Sequence, residues 1–242
     1  MPGILLTGAS GKLGTQLRKV MSDSYAPTHQ TLDLKNIQDV ANYIKKNDVD
    51  TIVHCAAMTN VRLCEERREV AYEINVNGTR NLCRSLLQHN SKGYFIYVST
   101  ACVFRGDDPS KYYSEDDIPY PKNFYGLTKM LGEIVVRESC LKNLVIRTNF
   151  IERGKWPYPK AFTDRYATYL YSDQVAGAIA KLTEEISQGL VHVCGDERKS
   201  MYEFARLSDP DVQPMTLNDY SGPPLTVNMA LTSTRIPKIK TF

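Results

Sequence analysis

Within its first fourteen residues the chain passes from a short apolar run, Ile4-Leu5-Leu6, into Thr7-Gly8-Ala9-Ser10-Gly11-Lys12-Leu13-Gly14. Leu13, Leu17, Val20 and Met21 then recur at helical spacing. This reads as a strand, a glycine turn and a helix. It constrains the fold because each glycine has a separate task. One permits the tight turn, one lets a pyrophosphate approach the backbone, and one lets the helix pack on the strand. The N–H groups at the helix start are then left for an anion. Gly8, Ser10, Gly11, Lys12, Leu13 and Gly14 are therefore expected to hold a nucleotide.

The rest of the chain alternates between strand and helix periods. Leu32–Leu34 follows a weak strand, and Ile37, Val40, Ala41 and Ile44 mark one face of a helix. Thr51–Cys55 is a buried strand, Arg62–Asn90 a long helical stretch, and Tyr94–Val98 another strand. A Pro- and Asp-rich loop, Arg105–Asn123, leads to a helix over Phe124–Ser139 and a strand over Leu144–Ile146. Parallel strands with crossover helices account for this order, which predicts an α/β fold built on a doubly wound parallel sheet. Between Asn149 and Tyr171 neither period holds, which marks either a binding loop or a poorly ordered segment. Gln174–Ile186 is helical, Leu190–Val193 extended, and Ser200–Leu207 a short helix capped by Ser200. The expected division is a dinucleotide-binding core with a catalytic helix over 1–148. A small, mainly substrate-binding region over 149–242 would return elements at about 170–194 to that core.

With 42% hydrophobic and 24% charged residues in 242, the composition excludes fibres and extended disorder, and no membrane segment is visible. Thirty basic and twenty-seven acidic residues are interspersed, so nucleic acid is not an expected partner. Six cysteines without a CxxC pair read as reduced thiols. Met1-Pro2-Gly3 enters the first apolar run directly, too short for a signal-peptide core. The expectation is a cytoplasmic protein.

A second cluster of residues carries chemistry. Ser99-Thr100 ends the Tyr94–Val98 strand, and Tyr125-Gly126-Leu127-Thr128-Lys129 opens the later helix. Residues four apart share a helix face, so Lys129 can stand beside Tyr125. A nearby ammonium, helped by a positive nicotinamide ring, would lower the phenol's pKa and make Tyr125 a general acid or base. Thr100 can hydrogen-bond the same substrate oxygen. The stretch Ala26–Gln30, where an acid usually holds the ribose of NAD, has no carboxylate. NADP is therefore the expected cofactor, with NAD as the alternative.

These pieces, together with Leu32-Asp33-Leu34, His54-Cys55-Ala56-Ala57-Met58-Thr59, Ile74-Asn75-Val76-Asn77-Gly78-Thr79, Arg147-Thr148-Asn149-Phe150 and Tyr202-Glu203-Phe204-Ala205, occur in an order that resembles the extended short-chain dehydrogenase/reductases. Within that group the chain is most similar to the dTDP-4-dehydrorhamnose reductases. The resemblance implies a Rossmann-type sheet, a catalytic set of Thr100, Tyr125 and Lys129, and cofactor contacts that add Asp33, Leu34, Cys55, Ala56, Ala57, Thr59 and Asn75 to the glycine turn. It implies reduction of a 4-keto-6-deoxy sugar linked to a nucleoside diphosphate and leaves a homodimer open; no metal is expected, because Arg62 stands where the reductases carry the Asp of a shared acidic site. Thr100, Cys102, Asn149, Phe150, Arg147 and Trp156 would meet the substrate. Arg147, Arg153, Lys155, Lys160 and Arg165 are candidate pyrophosphate clamps, and Trp156, Tyr158 and Phe162 candidate base-stacking rings.

The chain departs from that pattern where Ala101-Cys102 replaces Asp-Tyr after Ser-Thr, and where Arg62 stands in an Asp position. It lacks the Asp-Glu pair that sugar dehydratases carry after the Thr. Its Arg147–Gln174 stretch is shorter than in the reductases. Alternative readings are a nucleotide-sugar epimerase of the same superfamily and a non-catalytic NADP-binding regulatory subunit.

Overall fold

The computed structural model describes residues 3–241. Met1 and Pro2, part of the N-terminal stretch read above for a leader, lie outside the described residues.

Strands β1 (Gly3–Thr7), β2 (Val49–His54), β3 (Tyr94–Thr100), β4 (Lys142–Thr148) and a last one, Gly189–Val193, form one sheet in that order. Every pairing is parallel. Parallel neighbours require crossovers, here made by α1 (Lys12–Val20), α2 (Ile37–Lys46), α3 (Val61–Glu66), α4 (Arg68–Tyr72), α5 (Gly78–His89), α6 (Phe124–Arg137) and α7 (Ser172–Glu184).

Both faces of the sheet are covered, which explains why its strands read as continuous apolar runs. Leu6, Val53, Ile96 and Ile146 pack under Leu13 and Leu17 of α1 and Val175 and Ile179 of α7. Leu5, Ile52, Phe95 and Val145 point the other way, against Val40 and Ile44 of α2, Leu82 and Leu86 of α5, and Val136 of α6. Two-residue alternation thus serves two cores at once. Helix starts follow from side chains: Asn36 accepts from Gln38 and Asp39 N–H, and Asn60 from Leu63 N–H.

The structure corrects three local expectations. The weak strand before Leu32 shrinks to one bridge, Leu5 to Tyr25, flanked by Leu6 N–H to Tyr25 O at 2.8 Å. Pro27 has no N–H with which to extend the pairing. The Arg62–Asn90 stretch is not one helix: Arg67 leaves helical backbone (φ −127°, ψ 58°), and Glu73–Asn77 winds as a π turn before α5. The irregular 149–171 segment is held by strand pairs from far along the chain. Lys160–Phe162 pairs with Gln213–Met215, and Tyr166–Ala167 with Lys199–Ser200 and Asn228–Met229. A separate core of Val103, Phe104, Tyr113, Tyr169, Phe204 and Met229 lies beneath these pairs.

The C-terminal stretch is pinned to the sheet by the buried Glu115 carboxylate. It accepts from His192 N–H at 2.9 Å, Ser233 Oγ at 2.5 Å and Thr234 N–H at 3.0 Å.

Candidate active site

The carboxyl ends of β1 to β4 open into a cleft of about 970 Å³. Ligands of open parallel sheets sit at this edge, because the crossover loops leave room there. Gly8 has φ +71°, and a Cβ on it would meet Ala56 N at 2.6 Å. A Cβ on Gly14 would lie 2.1 Å from Gly8 O and 2.7 Å from Ala9 Cα. Side chains at either position would collide with the turn. Gly11 precedes α1 without a side-chain cap, so the first N–H groups of that helix are left for an anion. Gly8, Ser10, Gly11, Lys12, Leu13 and Gly14 all line the cleft. This cradle of backbone fits a pyrophosphate. Among the described residues no group of three or more His, Cys, Asp or Glu is placed to hold a metal ion.

At the end of β2, His54 is buried between Thr7 Oγ1 (2.6 Å) and Thr79 Oγ1 (2.9 Å). Burial lowers its pKa to about 3, reinforced by the Lys129 charge, so it is a neutral tie between β1, β2 and α5. Cys55 to Thr59 continue along the cleft wall, and burial pushes the Cys55 thiol up to about 12. Asn75 stands behind this wall rather than in it. Its Oδ1 accepts from Met58 N–H at 2.7 Å, and its Nδ2 donates to Met58 O at 3.0 Å and to Thr128 Oγ1 at 2.9 Å. It therefore positions the Met58 backbone against α6, and the π turn supplies its register.

Thr100 closes β3, its Oγ1 accepts from Cys102 N–H at 3.2 Å, and it lines the same cleft as Tyr125. Tyr125 sits in the first turn of α6, which Asn123 caps by accepting from Gly126 N–H at 2.9 Å. Gly126 is required by close approach, since a Cβ there would meet Cys102 O at 2.3 Å. Lys129, one turn on, is 3% exposed, with its Nζ 4.0 Å from the centre of the Tyr97 ring. Burial lowers the Lys129 pKa to about 8 against the pull of Cys55 and Glu133. The Tyr125 phenol is pushed up, first by burial and then by Cys102, while the neighbouring Thr100 hydroxyl opposes the shift. The lowered phenol pKa expected from Lys129 is thus absent in the protein alone. Tyr125 is held as the neutral acid.

Beyond Tyr125 the wall changes character. Cys102, Asn149, Phe150, Ile151, Trp156, Pro157 and Tyr158 line it together with Tyr169, Met201 and Met229. Trp156 is also packed on Ala161, Ala205 and Val212, donates to Lys160 O at 3.2 Å and meets Tyr158 edge-on at 5.6 Å. Sequence reasoning missed Tyr169, Met201 and Met229, for which no local motif offered a signal.

Several expected contacts lie elsewhere. Arg147, 1% exposed, forms a two-pronged pair with Glu133 at 2.9 and 2.7 Å behind the sheet edge. Even-numbered β4 residues face α1 and α7 and odd-numbered ones face α6, so strand alternation carries Arg147 away from the cleft. Arg153 binds Asp173 and lies over Tyr171, Lys155 is 4.0 Å from Asp209, and Arg165 donates to Thr226 O. Neither these nor Lys160 lines the cleft, and Phe162 packs edge-on against Tyr220 instead. Asp33 and Leu34 lie against the start of α5, where Asn81 donates to Leu34 O. Of the described residues lining the cleft, only Lys12 and Lys129 are charged.

No helix among the described residues is long and apolar enough to cross a membrane. The family model described as RmlD substrate binding domain matches residues 1–213. A dTDP-4-dehydrorhamnose reductase of Aggregatibacter actinomycetemcomitans is 30% identical over 231 residues, covering 85% of this chain and 77% of the relative. Methionine adenosyltransferase 2 subunit beta of Rattus norvegicus is 28% identical over 238 residues, covering 84% and 70%. Among solved structures, the dTDP-4-dehydrorhamnose reductase of Bacillus anthracis in complex with NADP aligns with a TM-score of 0.89 at 25% identity, over 100% of this chain and 96% of that one. With its parallel sheet, glycine cradle and Thr-Tyr-Lys cluster at one strand edge, the chain belongs to the RmlD substrate binding domain family, within the extended short-chain dehydrogenase/reductases.

Proposed function

We propose that this protein is an NADPH-dependent reductase of a 4-keto-6-deoxy sugar carried on a nucleoside diphosphate. The observation that carries the reading is convergence: Thr100, Tyr125 and Lys129 share one cleft with the glycine cradle. The reductase relatives and the NADP held by the Bacillus anthracis structure support the substrate class and the cofactor.

NADPH, when bound along the glycine turn and the Cys55–Thr59 wall, supplies the hydride that reduces the ketone. Tyr125 donates its phenolic proton to the ketone oxygen, a task that needs the neutral phenol its buried setting maintains. Thr100 holds that oxygen beside the phenol through its hydroxyl. Lys129 places a positive charge where the phenolate would be left, which lowers the cost of proton donation. Ile151, Trp156 and Met201 exclude water from the reacting end. Every cysteine among the described residues is a free thiol, which supports a reducing compartment such as the cytoplasm.

The reading is tested by incubating the protein with NADPH and a panel of dTDP-, UDP- and GDP-linked 4-keto-6-deoxy sugars and following loss of the reduced nicotinamide. Consumption with at least one sugar is expected. Tight NADPH binding without consumption would instead support the regulatory role, which the similarity to methionine adenosyltransferase 2 subunit beta favours.

A further inference from the structure

The three reacting groups come from two elements: Thr100 ends β3, while Tyr125 and Lys129 lie in the first turns of α6. Their separation is therefore set by how α6 sits on β3. Two neighbouring residues of the helix fix that seat. Gly132 lets α6 come down on the strand, since a Cβ there would meet Tyr97 Oη at 2.1 Å. Glu133, 2% exposed, brings a carboxylate to the strand ends.

Ser99 and Arg147 are register neighbours on β3 and β4, and both reach that carboxylate. Ser99 Oγ donates to Glu133 Oε1 at 2.5 Å, Arg147 Nε donates to the same oxygen at 2.9 Å, and Arg147 Nη2 donates to Oε2 at 2.7 Å. Three elements thus meet at one buried group. Ser99 immediately precedes Thr100, and Glu133 lies one turn beyond Lys129 on the same face of α6. A buried ion pair is seldom worth more to stability than an apolar pair of similar volume, so its value here is sought in geometry. Hydrogen bonds have preferred directions and a buried network of them rigidifies its surroundings, whereas apolar side chains can slide.

We propose that Glu133 is a positioning residue: through Ser99 and Arg147 it locks α6 onto β3 and so holds Tyr125 and Lys129 at the distance from Thr100 that proton donation to the ketone requires. The inference rests on the reductase reading. Glu133 and Arg147 line no part of the cleft, so they act through the groups they hold. The carboxylate also supports the Lys129 ammonium against the effect of burial.

Two variants test it. Arg147→Met with Glu133→Leu removes the whole lock without stranding a charge, and Ser99→Ala cuts only the tie to β3. Both should stay folded by their melting curves and bind NADPH as wild type does. In the double variant kcat should fall roughly 10- to 100-fold, as for a misplacement on the order of 1 Å, and in Ser99→Ala about 3- to 10-fold, with the KM for sugar unchanged in both. The alkaline limb of kcat should move to lower pH in the double variant and stay in place in Ser99→Ala, because only the former loses the negative charge one turn from Lys129. A folded double variant with wild-type kcat would show the inference to be wrong and leave the reductase reading standing. A fall in kcat matched by an equal loss of NADPH affinity would also overturn it, since that marks general loosening. If wild type reduces no ketone, both fall.

Discussion

The cleft's two halves recognise by different means. Around Gly8 to Gly14 and Cys55 to Thr59 the wall is largely backbone and small side chains, with Lys12 and Lys129 providing the charge. Beyond Tyr125 it is rings, thioethers and hydroxyls drawn from Cys102, the 149–158 segment, Tyr169, Met201 and Met229. The first half presents N–H groups to an anion; the second presents apolar surface with a few hydroxyls. A nucleotide cofactor common to many chemistries suits the former, and a variable sugar the latter. Thr100, Tyr125 and Lys129 stand on the boundary, which is where a hydride and a proton must meet.

The sharpest way to separate the halves is Tyr125→Phe. If the phenol is the proton donor, turnover should fall by about 10²- to 10⁴-fold while NADPH affinity, measured by fluorescence titration, stays nearly constant. Equal activity in the variant would remove Tyr125 from the reaction.

Arg147 tests whether the substrate half extends behind the sheet edge. Truncation to Ala strands Glu133 as a buried charge and should cost about 3–5 kcal/mol in urea unfolding. The apolar double replacement Arg147→Met with Glu133→Leu should recover most of that stability with the KM for sugar unchanged. A KM raised tenfold in the folded double variant would return Arg147 to substrate binding.

The smallest effect concerns pH. Lys129 titrates at about 8 in the folded protein against 10.5 for a free lysine. Between those values the unfolded chain binds more protons, so stability should rise with pH across that window. Below pH 8 the buried ammonium costs about 3 kcal/mol relative to a solvated one. Lys129→Met should therefore raise the melting temperature at pH 7 and flatten the alkaline rise, while turnover in wild type should decline above pH 8 as the ammonium is lost. A melting temperature in Lys129→Met that still climbs from pH 8 to 10 would assign the rise to another group.

The nucleotide half was legible because its determinants are local. Residues 4–14 contain the strand, the turn and the helix start, and each glycine answers to a contact inside that segment or to the adjoining Ala56. Tyr125 and Lys129 were legible for the same reason, being one helical turn apart. The two apolar cores followed from strand and helix periods. Arg147 was misread because its neighbours in sequence line the cleft, and only strand alternation sends it to Glu133. Asn75 was read as a cofactor contact because a motif cannot show that Met58 stands between it and the cleft.

By itself, then, the amino-acid order determined the parallel α/β sheet, the glycine cradle and the Tyr125–Lys129 pair, since hydrophobic period, turn glycines and helix spacing act over a few residues. Tertiary structure alone decided which basic residues face the cleft and which are paired away, and it brought Tyr169, Met201 and Met229 to Cys102 and Trp156. Those choices depend on pairings such as Tyr166 with Asn228, sixty-two residues apart, whose partners no short-range pattern specifies.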